Sequence, residues 1–459
     1  MAIKRVLVAN RGEIALRIIR AAHALGIEAV QVVSSADRDS AAARLADRVI
    51  VLGPAASKLS YLDANLVVHA AISSGCDALH PGYGFLSERA SLARLCSDNG
   101  VIFVGPDADV IDSLGDKLRA RAIAEGAGVP LVPGTDRIAS AKDARKAAEE
   151  LGFPVVMKAS AGGGGRGMFV ARDAQALDDS FDKASTEALE AFGDGTLYME
   201  RYVEDARHVE VQVAGDGEGR VVHYGERDCS VQRRYQKVVE EAPCALMPAH
   251  LRQALHESAV SLLASLKYRN AGTVEFLYDV PREAFYFIEV NTRIQVEHPV
   301  SEQVTGQDLV QTQFRIAAGE VGALPQQAHI HLNRHAIECR LNAEDAANNF
   351  MPSPGRITRW SPPQGTGVRI DSHCEDGYLV PPYYDSMIGK LIVTADDRPA
   401  AVARLQDALD DFAIEGLTSN LPLLRAIAVH EDFIDNRFHT KWLEETLLPT
   451  FEKDIAGGT

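Results

Sequence analysis

The sequence lacks the features that mark several protein classes. Its 459 residues include only six cysteines, at positions 76, 96, 229, 244, 339 and 374, with no C-x-x-C pair. This spacing argues against a zinc site and a disulfide framework, and it is typical of a reducing compartment. No apolar run approaches the length of about 18 residues that a membrane span needs. The apolar run near the N-terminus is also too short for a signal peptide. We therefore predict a cytoplasmic protein with no membrane partner.

Positive charge is also scarce. The chain has 47 Lys and Arg residues against 64 Asp and Glu residues, a formal net charge of -17. Because nucleic-acid binding needs clustered Lys and Arg, we predict no nucleic-acid partner. A local basic pocket for a small anionic substrate is compatible with this charge. The 46% hydrophobic content is that of a globular protein, and at roughly 150 residues per domain the length predicts about three domains.

The first third of the chain alternates strand-like and helix-like patterns. Residues 5–10 and 29–34 are β-rich runs on either side of a helix-like segment at 13–25. Such a β-α-β unit indicates a parallel sheet. Further strand candidates lie at 48–52, 77–79 and 101–104. We predict a doubly wound α/β domain over residues 1–104 and a helical linker over residues 105–131.

A smaller unit is predicted over residues 132–202. Its predicted elements are helices at 141–151 and 174–192 and strands at 154–158, 168–171 and 197–201. The segment SAGGGGRGM at 160–168 is not a Walker A loop, since it has no Gly-Lys-Ser/Thr, and a Rossmann loop would lead into a helix. We interpret it as a hairpin whose backbone N–H groups close over phosphates. A long exposed turn is the alternative.

The most informative segment, residues 271–299, is predicted to form two strands joined by a turn. Glu275 and Glu289 each lie between apolar neighbours, where an ionised carboxylate needs a compensating partner. Because side chains alternate along a strand, Glu275 could face Glu289. One face of the second strand would carry Glu289, Asn291, Arg293, Gln295 and Glu297. The two carboxylates and the amide oxygen of Asn291 are ligands that suit Mg²⁺. The alternative is that this strand face is solvated.

Two further features are ambiguous by themselves. Residues 225–243 mix acidic and basic side chains, as either a site or a charged surface loop would. Cys229 lies in this segment, and we interpret it as structural because no base is paired with it in the sequence. Without further information, we interpret Lys117 as a solvent-exposed lysine on a helix.

Nine motifs, in order along nearly the whole chain, resemble those of one enzyme family. They are ANRGEIALRIIRA at 9–21, HPGYGFLSE at 80–88, FVGP-x8-GDK at 103–117, KAS-x-GGGGRGM at 158–168, RHVEVQV at 207–213, ERDCSVQRRYQKVVEEAP at 226–243, EVNTRIQVEHPV at 289–300, ECRLNAED at 338–345 and PPYYDSMIGKL at 381–391. In these motifs the chain resembles the biotin carboxylases, the ATP-grasp components of biotin-dependent carboxylases.

The resemblance implies a fold and a reaction. The N-terminal doubly wound parallel-sheet domain would be followed by an ATP-grasp fold with a glycine-loop lid domain at 132–202, a catalytic domain at 203–448 and a tail at 449–459. ATP would phosphorylate bicarbonate to carboxyphosphate, and biotin would then be carboxylated, with Mg²⁺ or Mn²⁺ as the metal. The Met-Lys-Met motif of a biotin carrier is absent. We therefore expect a biotin carboxyl carrier protein and a carboxyltransferase on separate chains.

The resemblance also assigns roles to individual residues. The ATP-binding positions would be Lys117, Lys158, Gly163, Gly164, Gly165, Glu200, Tyr202, Val203, His208, Gln232, Glu275, Leu277 and Glu289. The metal ligands would be Glu275, Glu289 and Asn291. Bicarbonate and biotin would contact Lys237, Arg293, Gln295, Val296, Arg340 and Tyr83. The catalytic residues would be Arg293, Lys237, Glu297 as the base for bicarbonate, and Arg340, which steadies the biotin enolate.

The nucleotide site departs from the family pattern at two positions. Ala161 replaces the first glycine of the usual run of five, and the loop should flex less freely. Tyr235 stands near the predicted ribose position, where many members carry His or Asn.

The dimer positions are mixed, and two other functions stay open. Arg20 and Arg369 match the family's dimer contacts, whereas Ala24 and Thr366 replace a glutamate and a phenylalanine. We expect a homodimer.

One alternative function is another ATP-grasp enzyme, a carboxylate–amine ligase or a purine-pathway carboxylase. The other is a non-catalytic nucleotide-binding subunit, which would have lost at least one catalytic position.

Overall fold

A computed structural model of the chain describes residues 2–138, 140–159 and 168–451. The predicted ATP contacts Gly163, Gly164 and Gly165, together with Ala161, lie outside the described residues. Within the described part, no helix combines the length and the apolar character needed to span a membrane.

The N-terminal residues alternate strands and helices, as predicted. The elements are β1 Arg5–Val8, α1 Gly12–Ala24, β2 Glu28–Ser34, α2 Ala41–Leu45, β3 Arg48–Gly53, α3 Ala64–Ser73, β4 Ala78–His80, α4 Ala90–Asp98 and β5 Ile102–Phe103. Within residues 2–111 the strands form a parallel sheet in the order β3-β2-β1-β4-β5. Helices cover both faces of such a sheet, which is why β2 is buried along most of its length. The predicted doubly wound domain is confirmed.

The loops after β1 and β4 meet at the point where the strand order reverses. In open parallel sheets this switch point, at the carboxyl ends of the strands, is where ligands bind. Glu13 follows β1 and Tyr83 follows β4. Their hydroxyl–carboxylate hydrogen bond joins the first turn of α1 to the loop after β4.

Four helices and a three-stranded sheet form the described middle part of the chain. The elements are α5 Ala108–Gly115, α6 Lys117–Gly126, α7 Ala141–Leu151, β6 Val155–Ala159, β7 Met168–Ala171, α8 Ala174–Phe192 and β8 Leu197–Arg201. The strands pair antiparallel in the order β7-β6-β8 among the described residues. Asp116 caps α6 by accepting from Arg119 N–H, which places Lys117 in the first turn of that helix.

The remaining chain is built on a large antiparallel sheet. Its first elements are β9 Ala206–Asp216, β10 Val221–Arg233, β11 Gln236–Ala242, α9 Ala249–Ser265, β12 Arg269–Asp279, β13 Ala284–Asn291, α10 His298–Thr305, α11 Leu309–Ala317 and β14 His335–Asn342. The later elements are β15 Glu344–Asp345, β16 Met351–Pro352, β17 Gly355–Arg356, β18 Arg359–Ser361, β19 Val368–Ser372, β20 Leu379–Val380, β21 Met387–Ala395, α12 Arg398–Asp411, β22 Ala413–Glu415, α13 Leu421–Val429 and α14 Glu431–Ile434. Within residues 168–451 the main sheet has the order β13-β12-β9-β10-β11-β14-β21-β19. Together with the lid sheet it forms the predicted ATP-grasp fold.

The structure differs from the sequence reading in two places outside the site. Helix α9 is not among the predicted elements; its buried Leu255, Ala259, Leu262 and Leu263 have the helical spacing that would have revealed it. The predicted tail begins at 449, yet residues 448–451 are helical and Phe451 packs into the core. The division into domains at 104, 131 and 202 stays a prediction.

Candidate active site

A cleft between the lid sheet and the main sheet collects most of the predicted site residues. Its volume is about 1200 Å³, above the roughly 300–1,000 Å³ of ordinary ligand pockets. The predicted residues on its wall are Tyr83, Lys117, Lys158, Glu200, Tyr202, Val203, His208, Gln232, Lys237, Glu275, Leu277, Glu289, Asn291, Arg293, Gln295, Val296 and Arg340. Glu297 is fully buried behind this wall.

The paired strands β12 and β13 hold the predicted metal ligands. Their register places Glu275 opposite Glu289, as the sequence predicted. Burial and the facing Glu275 carboxylate raise the pKa of Glu289, and Lys117 opposes this with its Nζ 3.9 Å from a Glu289 oxygen. Asn291 Nδ2 donates to Glu275 Oε1 at 2.8 Å. A divalent cation would relieve the repulsion between the two carboxylates, so this oxygen-rich group fits Mg²⁺.

The predicted polar row on one strand face is wrong beyond Asn291. Strand β13 ends at that residue, and residues 292–297 run irregularly into α10, with Glu297 as its N-cap residue. The reason lies in Pro299, which sits in the first turn of α10. Proline has no N–H for a strand ladder, but its fixed φ suits a helix start.

Side-chain contacts bring the same residues to the cleft without a strand. Arg293 Nη1 donates to Gln295 Oε1 at 2.7 Å, and Arg293 Nε lies 3.1 Å from Glu88 of the N-terminal domain. Gln295 Nε2 donates to Glu275 Oε1 at 3.2 Å. The loop is therefore attached both to the sheet and to the N-terminal domain.

The ammonium of Lys237, on β11, lies among three buried carboxylates. Its Nζ is 2.5 Å from Glu210, 3.1 Å from Glu275 and 2.6 Å from Glu297. Burial disfavours the charged ammonium, but these carboxylates raise the pKa of Lys237 well above its usual value. Burial likewise works to raise the pKa of Glu297, but Lys237 and Arg340 hold it below its usual value.

Arg340, on β14, bridges two more carboxylates. Its Nη2 donates to Glu297 Oε2 at 2.9 Å and its Nε to Glu240 Oε1 at 2.6 Å. Arg340 therefore touches the same Glu297 carboxylate as Lys237 and also lines the cleft. The predicted base and its two cations form one connected cluster.

The lid lysine Lys158 has a simpler environment. It lies on β6, and its ammonium donates to Glu200 on β8. Glu200 also accepts from Arg121 of α6 and is almost fully buried. A phosphate entering the cleft would compete with one carboxylate for Lys158, whereas it would meet three around Lys237.

The predicted nucleotide end of the cleft is mostly apolar, with a few polar groups. Val203 and Leu277 contribute apolar wall, and Lys441 Nζ lies 4.5 Å from the centre of the Tyr202 ring. Gln232 is 4% exposed, and its Oε1 has no hydrogen-bond partner within the described residues. Tyr235 projects from the β10–β11 turn with 62% exposure and lines the cleft.

His208, a predicted ribose contact, is close to the predicted metal site. Its Nε2 lies 2.9 Å from Glu275 Oε2. Burial favours the neutral ring, but the Glu275 carboxylate raises the pKa of His208 above its usual value. The Glu275 carboxylate thus favours the protonated form of His208 beside the carboxylate pair.

Tyr83 is joined to the bicarbonate side through buried charges. Its hydroxyl donates to Glu13, and Lys390 Nζ lies 3.0 Å from the same carboxylate. Lys390 also donates to the Val296 carbonyl at 2.8 Å and is fully buried. The buried Lys390 thus links Val296, a predicted bicarbonate contact, to Glu13, which in turn binds Tyr83, a predicted biotin contact.

Two other groups of side chains have the spacing of metal ligands. They are His208, Glu210 and Glu275, and Glu210, Cys229 and Glu297, with ligand atoms within 4.8 Å in each group. The Lys237 ammonium contacts a carboxylate of each group and supplies the positive charge a metal would bring. Burial raises the pKa of Cys229 well above its usual value, so its sulfur is a neutral thiol, in line with a structural role.

Several charged residues around the site were given no role by the sequence, although Arg227 and Glu240 lie in the segment 225–243, which the sequence left open. They are Glu13, Glu88, Arg121, Glu210, Arg227, Glu240 and Lys390. Glu210 alternates with valines in RHVEVQV, the pattern that drew attention to Glu275, and it could have been found the same way. Arg121 and Lys390 give no such signal, because only tertiary contacts bring them to the cleft.

Three family models match consecutive parts of the chain. Residues 2–111 match the biotin carboxylase N-terminal domain, residues 116–324 the ATP-binding domain of the carbamoyl-phosphate synthase L chain, and residues 338–445 the biotin carboxylase C-terminal domain.

Similar full-length proteins point the same way. Biotin carboxylase 1 of Bacillus subtilis is 48% identical over 96% of this chain and 98% of its own length. The biotin carboxylase of Campylobacter jejuni, solved as a beta-gamma-ATP complex, superposes with a TM-score of 0.90 at 46% identity, covering 96% and 98% of the two chains. The biotin carboxylase domain dimer of Hydrogenobacter thermophilus 2-oxoglutarate carboxylase was solved with MgADP, ADP and bicarbonate. It gives a TM-score of 0.90 at 45% identity, covering 98% and 99%.

Proposed function

The chain belongs to the biotin carboxylase family and is therefore an ATP-dependent ligase that carboxylates biotin with bicarbonate; we propose how its own residues carry out that reaction. The observation that carries the proposal is the cluster of Lys237, Glu297 and Arg340 beside Arg293 and Gln295. It combines one buried carboxylate with cations on both sides, next to a cleft large enough for a nucleotide.

Lys117 and Lys158 would bind the ATP phosphates. They enter the cleft from different elements, α6 and β6, and each pairs with an acidic side chain that a phosphate can replace. Glu275, Glu289 and Asn291 would hold Mg²⁺, which shields the negative charge of the phosphates. Phosphoryl transfer is mostly positioning and electrostatic stabilisation, which fixed cations and carboxylates of this kind supply.

Arg293, Gln295, Val296 and Lys237 would hold bicarbonate. The Arg293 guanidinium is fixed between Glu88 and Gln295 and can present donors to a planar anion. When bicarbonate takes part of the Lys237 charge, that cation stabilises ionised Glu297 less. The pKa of Glu297 then rises, and the carboxylate becomes a better base for the bicarbonate proton.

Arg340 would stabilise the biotin enolate. Its guanidinium lines the cleft next to the base, and a cation aimed at the ureido oxygen stabilises charge that develops only during deprotonation. Tyr83 would border biotin from the N-terminal domain, held in place by its bond to Glu13.

We further propose that biotin arrives on a separate carrier protein, that a separate carboxyltransferase uses the product, and that the chain forms a homodimer. Ala24 and Thr366 are exposed, whereas Arg369 is bonded within its own chain to Glu302 and Asp371. A dimer would therefore use contacts other than the glutamate and phenylalanine of some relatives. Sedimentation of the purified chain tests the dimer, and mass spectrometry for covalent biotin tests the separate carrier.

The function is tested by ADP release from purified enzyme with Mg-ATP and bicarbonate, with and without free biotin. We expect turnover that needs bicarbonate and rises with biotin. Glu297→Gln should lower it about 10²- to 10⁴-fold, the range for a general base, while Arg340→Ala should mainly remove the rise caused by biotin. ADP release that needs an amine or amino acid instead of bicarbonate would favour another ATP-grasp ligase.

A further inference from the structure

Arg340 is held by two carboxylates rather than one. Its Nη2 donates to Glu297 and its Nε to Glu240. Both carboxylates are fully buried, whereas the Arg340 side chain is 18% exposed and faces the cleft. Within the described residues Arg340 Nη1 makes no hydrogen bond, so one end of the guanidinium stays available to a ligand.

A third buried carboxyl group lies next to this pair. Glu338 is opposite Glu240 in the β11–β14 register and two residues before Arg340 on the same strand face. Neither of its oxygens has a hydrogen-bond partner among the described residues, and its side chain is fully buried. Two such carboxyl groups side by side cannot both be ionised without a large cost.

The proton of this pair belongs on Glu338. Burial raises the pKa of Glu338 well above its usual value, and the opposing Lys390 does not reverse this. Burial and the Glu297 charge also raise the pKa of Glu240, to about 7, with Arg340 opposing. Only Glu240 receives a guanidinium hydrogen bond, and such a bond favours the ionised form.

We propose that Glu240 is a positioning residue that keeps Arg340 directed at biotin after Glu297 has taken up the bicarbonate proton. This rests on the proposed function. Once neutral, Glu297 holds Arg340 more weakly, because the attraction between the guanidinium and the carboxylate charge is lost. Glu240 takes no part in that proton transfer, so its charge continues to hold Nε while Nη1 faces the substrate.

The test compares Glu240→Gln with the matched variant Glu338→Gln. Both residues are fully buried glutamates on paired strands, but glutamine resembles the state that we assign only to Glu338. Two rates are measured: bicarbonate-dependent ADP release without biotin, and the increase caused by biotin. We expect Glu240→Gln to lower the biotin-dependent kcat about 10- to 100-fold, the worth of a hydrogen bond to a charged group, with a much smaller loss in the absence of biotin. Glu338→Gln should leave both rates unchanged.

Three outcomes would overturn the inference. They are equal biotin-dependent rates in the two variants, a loss in Glu240→Gln that is as large without biotin as with it, and a loss that appears only as a higher KM for ATP. If Glu240→Gln does not fold, Glu240→Asp decides, since a shorter carboxylate keeps the charge but displaces Arg340. It should lose mainly the biotin-dependent turnover, and wild-type behaviour in both assays would overturn the inference. If the wild-type enzyme shows no bicarbonate-dependent turnover, the proposed function itself fails.

Discussion

Glu240 and Glu241 are neighbours on β11, yet they lie in opposite electrostatic environments on the two faces of the sheet. Both side chains are fully buried. On the cleft face, burial and the nearby Glu297 raise the pKa of Glu240 to about 7. On the other face burial acts in the same direction, but Arg398 and His335 outweigh it and lower the pKa of Glu241 to about 2.

The difference lies in the hydrogen-bond donors that each carboxylate has. Glu241 accepts from Arg398 at 2.8 Å and from His335 at 2.7 Å, and within the described part of the chain neither donor bonds to a second carboxylate. Glu240 shares Arg340 with Glu297 and faces Glu338. On the face away from the cleft, Glu241 has donors of its own, which favours stability. On the cleft face several carboxylates share Lys237 and Arg340, and a bound Mg²⁺ would add positive charge nearby. Perturbed pKa values are typical of functional sites for this reason.

The largest expected effect comes from removing the charge of Glu241, on the sheet face away from the cleft. Glu241→Gln should lower the free energy of unfolding by about 3 to 5 kcal/mol, the usual cost of leaving a buried charge without its partner. Here the group left without its carboxylate is the Arg398 guanidinium, which is 9% exposed. Urea unfolding measures this loss. ADP release well below the melting temperature should stay at the wild-type rate, and a variant as stable as wild type would contradict the comparison.

The lowered pKa of Glu241 also predicts that the stability of the protein depends on pH in the acid range. A carboxylate whose folded pKa is lowered stabilises the folded state above its unfolded pKa and loses that effect as pH falls through the folded value. For Glu241 the window runs from its ordinary value of 4.5 down to about 2. The stability difference between wild type and Glu241→Gln should therefore be full at pH 6 and shrink below about pH 4.5. Melting curves across this range check it, and a constant difference would show that the charge of Glu241 is not involved.

The smallest expected effect is on the cleft face. Glu338→Gln should change the free energy of unfolding by about 1 kcal/mol or less, because it replaces a neutral acid by a neutral amide without breaking an ion pair. Urea unfolding beside Glu241→Gln makes the contrast direct. A loss equal to that of Glu241→Gln would mean that Glu338 is ionised and that the two faces are alike.

Much of the site was predictable from local sequence. The register of β12 and β13 follows from two apolar runs with one acidic residue each, so the facing pair Glu275 and Glu289 was predicted. The neighbouring Glu210 has the same pattern but was overlooked. Strand alternation failed after Asn291, because Pro299 starts a helix there and side-chain bonds, not a strand, direct Arg293 to the cleft.

The sequence by itself determined the family, the order of the elements and most of the candidate residues, since these depend on short motifs and on periodicity. Only the tertiary structure decided which charges share a partner. Arg340 meets Glu240 and Glu297 from residues 100 and 43 positions away, and Glu240 differs from Glu241 only through the strands and helices packed on each side. The pKa of a buried carboxylate depends on burial and on charges within a few ångströms, and folding alone sets those distances.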